Sequence, residues 1–312
     1  MAPPTKISGT LWSRLNLTDR MLGGWYLILG LALLGSSRYA ASGLHYTPHH
    51  AIALGVIVVL ALLADRGLWL RFAHDWYPIF VFIAAFEEIA RLSLIFVPQW
   101  QDAALLRIEA SIFAMPPTVW LNHWHGLFTT EVLEFGYFTF YWIIPVVGGA
   151  LHPSIRRAPT CHAADDPEQP FRLWMDATVL GYTFCYAAYL LFPTEGPAHT
   201  LAPQASGMVS AGPFHWLVLL IQRHGGVHGN AFPSGHIMAS VVALLAASKW
   251  KPRLGLWLSV PVILMCVGAV YDGYHYVSDI VAGAVVGAAA FYAVIAIRRT
   301  KSGLRGVNLV SP

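Results

Sequence analysis

The chain has 312 residues, 56% of them hydrophobic and only 11% charged, with a formal net charge of +3 and a mean hydropathy of +0.56. A soluble domain carries about 25% charged residues, so this composition excludes a soluble globular fold and points to an integral membrane protein. The net charge says less than the placement of the charges. The three cysteines, Cys161, Cys185 and Cys266, have no paired spacing that would mark a disulfide framework or a cysteine zinc site.

Taken in order, the residues predict an all-α polytopic bundle of about eight transmembrane helices in a single membrane domain, 1–312. Residues 1–20 are polar, with Lys6, Arg14 and Arg20, and read as a short cytoplasmic arm. Apolar runs at about 21–37, 50–64 and 76–97 predict the first three helices. The first is read as a retained helix, although Tyr39-Ala40-Ala41 loosely imitates a cleavage site. Residues 98–130 hold Trp100, Pro116, Pro117, Trp120 and Trp124 and are too interrupted to span. An interfacial or re-entrant segment fits, because Trp favours the headgroup level. A fourth helix at about 131–151 and the polar stretch from His152 to Pro170 complete an N-terminal part, 21–170. The fifth helix, about 172–192, opens the half that carries the chemistry, 171–297. A Gly/Pro-rich loop runs to Pro233, and helices at about 234–248, 254–271 and 275–297 follow. Residues 298–312 form a basic tail expected to fray.

The charges orient this map. With the N-terminus inside and eight crossings, all but Arg38, Arg91, Arg107 and Arg223 of the 19 Lys and Arg fall on the inner side, as the positive-inside rule requires. Both termini are then cytoplasmic, and the loops before the sixth and eighth helices share the outer face. The cell membrane is the expected location, the bilayer and a lipid substrate are the expected partners, and no nucleic acid is expected.

Those two loops carry the chemistry. Asn230-Ala231-Phe232-Pro233-Ser234-Gly235-His236 opens one apolar run and Gly273-Tyr274-His275-Tyr276-Val277-Ser278-Asp279 opens another. A helix start offers unpaired N–H groups and a partial positive charge, which suits a phosphate. Gly235 lets the backbone approach an anion, and Ser234 is able to cap the helix or bond a phosphate oxygen. His236 then stands beside the anion site as a proton donor or nucleophile. His275 and Asp279 are four residues apart, a spacing that stacks them on one helix face. Asp279 there orients one ring nitrogen of His275. A single His at a helix end is most often a polar cap; two, one of them with a carboxylate four residues on, make a site.

At these residues the sequence resembles the type-2 phosphatidic acid phosphatase and haloperoxidase superfamily. The stretch 229–236 is similar to its second signature and 270–283 to its third, and the resemblance covers roughly 171–297. It implies a six-helix-type lipid phosphatase core in which His275 attacks phosphorus, Asp279 orients it and His236 protonates the leaving oxygen. Two departures stand out. The family's third motif opens with Ser-Arg where this chain has Gly268 and Ala269, and its first motif, Lys-x6-Arg-Pro, is absent from the corresponding Phe192–His199 region. Inositol phosphorylceramide synthases and sphingomyelin synthases, which resemble the same superfamily, likewise depart from the basic signatures.

A transferring phosphoryl group needs donors, so substitutes for the lost clamp were sought. Arg223 lies in a Gly-rich stretch ten residues before the Pro-Ser-Gly-His turn, with His199 and His228 as further donors and Arg107 as the next cation. Lipid-headgroup anchoring is the plainer role for Arg223. Thr194 and Glu195 are candidates for substrate contact or an ordinary turn. Glu87, Glu88 and Arg91 are either functional intramembrane charges or an i,i+4 pair holding helices together. His123 and His125 form a His-x-His pair, and most of the 14 His fall on the outer side. A metal site is the competing chemistry, but no HExxH pattern supports it, and no metal or organic cofactor is implied. The resulting expectation is a membrane lipid phosphatase acting at the outer face on phosphatidic acid, polyprenyl phosphates or phosphoinositol lipids. The alternatives are a headgroup phosphotransferase and a non-catalytic lipid-phosphate binder or transporter.

Overall fold

The computed structural model describes residues 10–152, 169–201 and 212–307. The start of the arm (1–9), most of the polar stretch (153–168), part of the long loop (202–211) and the last tail residues (308–312) lie outside the described residues. Among those described there are no strands. The chain divides into two compact units, Met1–Ala84 and Ala85–Pro312.

In the first unit, α1 (Leu17–Leu34) and α2 (Thr47–Leu63) pack on each other, and α3 (Leu68–Phe96) begins. A capping box starts α1. The Asn16 side chain accepts from the Asp19 amide at 2.9 Å, and Asp19 accepts from the Asn16 amide at 2.8 Å. Asp19 is buried, and it also takes the Tyr77 hydroxyl at 2.7 Å and the His74 ring at 3.1 Å. A carboxylate is tolerated in the interior only with such partners.

The second unit takes the rest of α3, then α4 (Asp102–Ile112), α5 (Leu127–Phe138), α6 (Phe140–Leu151), α7 (Pro170–Leu191), α8 (Pro213–Gly225), α9 (Gly235–Trp250), α10 (Pro252–Tyr271) and α11 (Val277–Val307). Its centre is α9, where Ile237, Met238, Ala239, Val242, Ala243 and Ala246 are fully buried among α6, α7, α10 and α11. Helix contacts in a membrane rest on close packing of small residues, because lipid tails are as apolar as Leu. The chain supplies them. A Cβ on Gly283 of α11 would lie 2.5 Å from the Ser234 carbonyl, and one on Gly287 would lie 2.6 Å from that of Met238. This Gly-x-x-x-Gly stripe sets α11 directly against the start of α9.

All eight expected helices are present, yet among the described residues five segments are long and apolar enough to cross a membrane: Leu17–Leu34, Thr47–Arg66, Leu127–Leu151, Pro252–Tyr271 and Val277–Thr300. The remaining three expectations meet physical limits. Helix α3 carries Arg71, Asp75, Glu87, Glu88 and Arg91, and α7 carries Arg172 and Asp176. Helix α9, at 16 residues, reaches about 24 Å against a hydrocarbon core of about 30 Å. In the intramembrane trio, Glu88 is buried while Glu87 and Arg91 are exposed. The last helix runs ten residues past its expected end at 297, because Arg298 Nε donates to Asp176 Oδ2 of α7 at 2.8 Å. Residues 298–307 of the expected frayed tail are therefore helical.

Candidate active site

Ser234 and Asp279 are the N-cap of α9 and the third residue of α11, and the two helix starts are laced together there. The Ser234 amide donates to the Asp279 carbonyl at 3.0 Å, and the Ser234 hydroxyl accepts from the Ile237 amide at 3.4 Å, capping α9. His275 lies not on α11 but in the turn before it, its own amide bonded to the Ala269 carbonyl at 2.9 Å. It reaches Asp279 because that carboxylate folds back over the helix start. Asp279 Oδ2 accepts from the Tyr276 amide at 2.8 Å and from His275 Nδ1 at 3.3 Å. The expected helical i,i+4 stacking is thus replaced by a cap that performs the same orientation. Both residues are buried, 5% and 0% exposed.

His275 Nε2 lies 3.0 Å from the Ser234 hydroxyl; the tautomer that gives Nδ1–H to Asp279 leaves Nε2 free to accept from it. Burial pushes the His275 pKa down to about 4, against the weaker upward pull of a hydrogen bond to the Ala231 backbone. At neutral pH the ring is neutral.

His236, in the first turn of α9, faces His275 with ring centroids 6.3 Å apart. Phe140 and Tyr137 wall its other sides at 4.4 and 5.5 Å. Tyr137 packs on Tyr274 at 4.7 Å. The Tyr274 hydroxyl donates to the fully buried Glu134 at 2.8 Å, and His215 Nδ1 meets the same oxygen at 2.8 Å. Asp272 lies near Glu134, its Oδ2 buried and without a hydrogen bond. Burial, then the Glu134 charge, pushes its pKa up to about 9, so it is protonated at neutral pH.

Other expected residues fall elsewhere. Arg223 is exposed in the last turn of α8, and among the described residues no hydrogen bond or ion pair ties it to His275 or His236. His228 pairs with Glu195 and meets the His199 ring edge-on at 4.4 Å, both rings exposed. The helix-start amides expected to meet an anion are partly spent. That of Ser234 is bonded to Asp279, and that of Gly235 donates to the Tyr189 hydroxyl at 3.1 Å. The His236 amide of the same turn has no acceptor among the described residues. No group of three or more His, Cys, Asp and Glu is arranged to hold a metal among the described residues. Sequence reasoning missed Tyr189 and Glu134, which look like ordinary helix residues until their helices are packed.

The departures at Gly268 and Ala269 have a steric cause. A Cβ on Gly268 would lie 2.9 Å from the Leu133 carbonyl of α5, and Ala269 is fully buried. Helix α5 presses so closely on α10 that a Ser side chain at Gly268 would meet its backbone, and a long side chain at Ala269 would start from a fully buried position.

An all-helical membrane protein with paired histidines at two adjoining helix starts is the class that fold and site define. Residues 192–302 match the family model described as PAP2 superfamily. The chain is also similar to a PA-phosphatase related-family protein of Dictyostelium discoideum, 25% identical over 171 residues, covering 50% of this chain and 30% of the relative. The chain thus spans under a third of the length of that relative. No solved structure matches the chain.

Proposed function

We propose that the protein is an integral membrane lipid phosphatase working through a phosphohistidine. The observation that carries this reading is the buried His275, with Nδ1 3.3 Å from Asp279, Nε2 3.0 Å from the Ser234 hydroxyl and its ring centroid 6.3 Å from that of a second histidine. Nε2 leaves the Ser234 hydroxyl and attacks phosphorus. The P–O bond to the lipid alcohol breaks, and His236 passes to the departing oxygen a proton taken from the P–OH of the bound monoester. Neutral His236 then takes a proton from water, whose oxygen displaces His275 and releases phosphate. The freed Ser234 hydroxyl and the His236 amide are the nearest donors for the phosphoryl oxygens. Arg223 at the end of α8, with His199 and His228, contacts the headgroup, and the site opens on the outer face.

The filled clamp positions at Gly268 and Ala269 favour one second reading, in which a lipid or polyol hydroxyl replaces water and a phospho-headgroup such as phosphoinositol is transferred. The test is phosphate release or headgroup transfer from a panel of lipid phosphates in detergent. Wild type is expected to turn over at least one member, and His275→Ala none while remaining folded. Near-normal turnover in His275→Ala would rule out the phosphohistidine. Product that appears only with an added acceptor lipid selects the transferase.

A further inference from the structure

We propose that α4, which precedes the PAP2 domain, is a brace for the nucleophile, and that Asp102 and Glu109 are positioning residues for His275. The inference rests on the reading of His275 as the nucleophile. Asp102, Leu105 and Glu109 share one face of α4 at helical spacing, and they are 4%, 1% and 3% exposed. Arg107 and Ile108, turned away from that face, are exposed, as is Ile112 at the helix end.

Each buried residue grips a different part of the site. Asp102 Oδ2 accepts from the Glu195 amide at 2.9 Å, and Oδ1 accepts from the Gly196 amide at 2.9 Å and the Tyr276 hydroxyl at 3.1 Å. Leu105 clusters with Leu201 and Tyr276. Glu109 Oε1 accepts from the Ser278 amide at 3.1 Å, in the first turn of α11. Tyr276, next to the nucleophile, is therefore held at its hydroxyl by Asp102 and at its amide by Asp279.

The loop that Asp102 holds is itself a junction. Thr194 Oγ1 accepts from the Phe232 amide at 2.9 Å, and the Ala198 amide donates to the Gly273 carbonyl at 2.9 Å. Gly196 has φ +94°, and a Cβ there would lie 3.3 Å from the Tyr274 carbonyl, so the loop lies flat on the turn before His275. Two consecutive amides form an anion-binding concavity, and here the anion is the Asp102 carboxylate. Those amides are thus unavailable to a phosphate, which makes Asp102 and Glu109 supports of the site and not substrate ligands.

The full chain in detergent is the material for the test. Hydrogen exchange is followed over residues 192–201 and 272–280, alongside turnover of the lipid phosphate panel. Asp102→Ala is expected to speed exchange in both segments, and Glu109→Ala in the second. Each is expected to lower kcat by about 10²-fold, the usual cost of a small misplacement, with KM within about threefold. Asp102→Asn and Glu109→Gln keep one acceptor oxygen and are expected to recover part of kcat. Unchanged exchange in both segments overturns the brace, whether or not the wild type is active. Faster exchange with normal kcat, or a raised KM at normal kcat, overturns the positioning role. A wild type without turnover sinks the phosphatase reading, and the exchange result then decides the brace.

Discussion

At the scale of single residues, the site works by placing two titratable groups where burial sets their charge. In the proposed mechanism His275 must be neutral to attack, and burial holds its pKa at about 4. Lowering an imidazole pKa widens the range in which the neutral form dominates. The nucleophile is thus expected to stay active from about pH 7 down to about pH 5, where a free histidine would already be mostly protonated. The check is the acid limb of kcat/KM, with a substrate whose phosphate does not titrate in that range; a midpoint near that of free histidine would contradict the burial argument. Asp272 is the converse case. Its pKa rises from 3.8 to about 9 on folding, so between these values the unfolded chain releases a proton that the folded one keeps. The folded state therefore loses stability as pH rises through that window. Asp272→Asn removes the loss, and its thermal stabilisation in detergent is expected to grow from pH 5 to pH 8, as about that pKa window implies. A constant difference across pH would refute it.

At the scale of elements, the α9–α11 contact places the two motifs. Adding a methyl to Gly283 or Gly287 forces α11 away from the Ser234 or Met238 carbonyl. Overpacking of this kind costs about 1–3 kcal/mol. Gly283→Ala is also expected to lower turnover, because it displaces the residue whose hydroxyl meets His275. Val285→Ala, on the exposed face of the same helix, is expected to stay within about 0.5 kcal/mol. Thermal unfolding and turnover of the three variants check the ordering, and a Val285→Ala loss matching that of Gly287→Ala would sink it.

At the scale of the whole molecule, the proposal that both helix starts face outside rests on the charge pattern. In a background without the native cysteines, His224→Cys is expected to react with an impermeant thiol reagent on intact cells. Lys251→Cys is expected to react only after permeabilisation. Both positions are exposed, so labelling from the same side would break the eight-crossing map.

The sequence by itself determined the class: apolar runs made the helices, and two short polar motifs at helix starts brought His236, His275 and Asp279 to notice. Those signals are local, since a helix period and a cap lie within a few residues of each other in the chain. Contacts between distant segments were not legible. Nothing near Asp102 or Glu109 marks them as partners of a turn more than 150 residues on, and nothing beside Gly268 announces the backbone of α5. Only tertiary packing decided that His275 meets Asp279 through a cap, that the Ser234 and Gly235 amides are spent within the protein, and that Arg223 stands apart from the histidines. Hydrogen-bond partners and free volume depend on which helices touch, and that is a property of the assembled bundle.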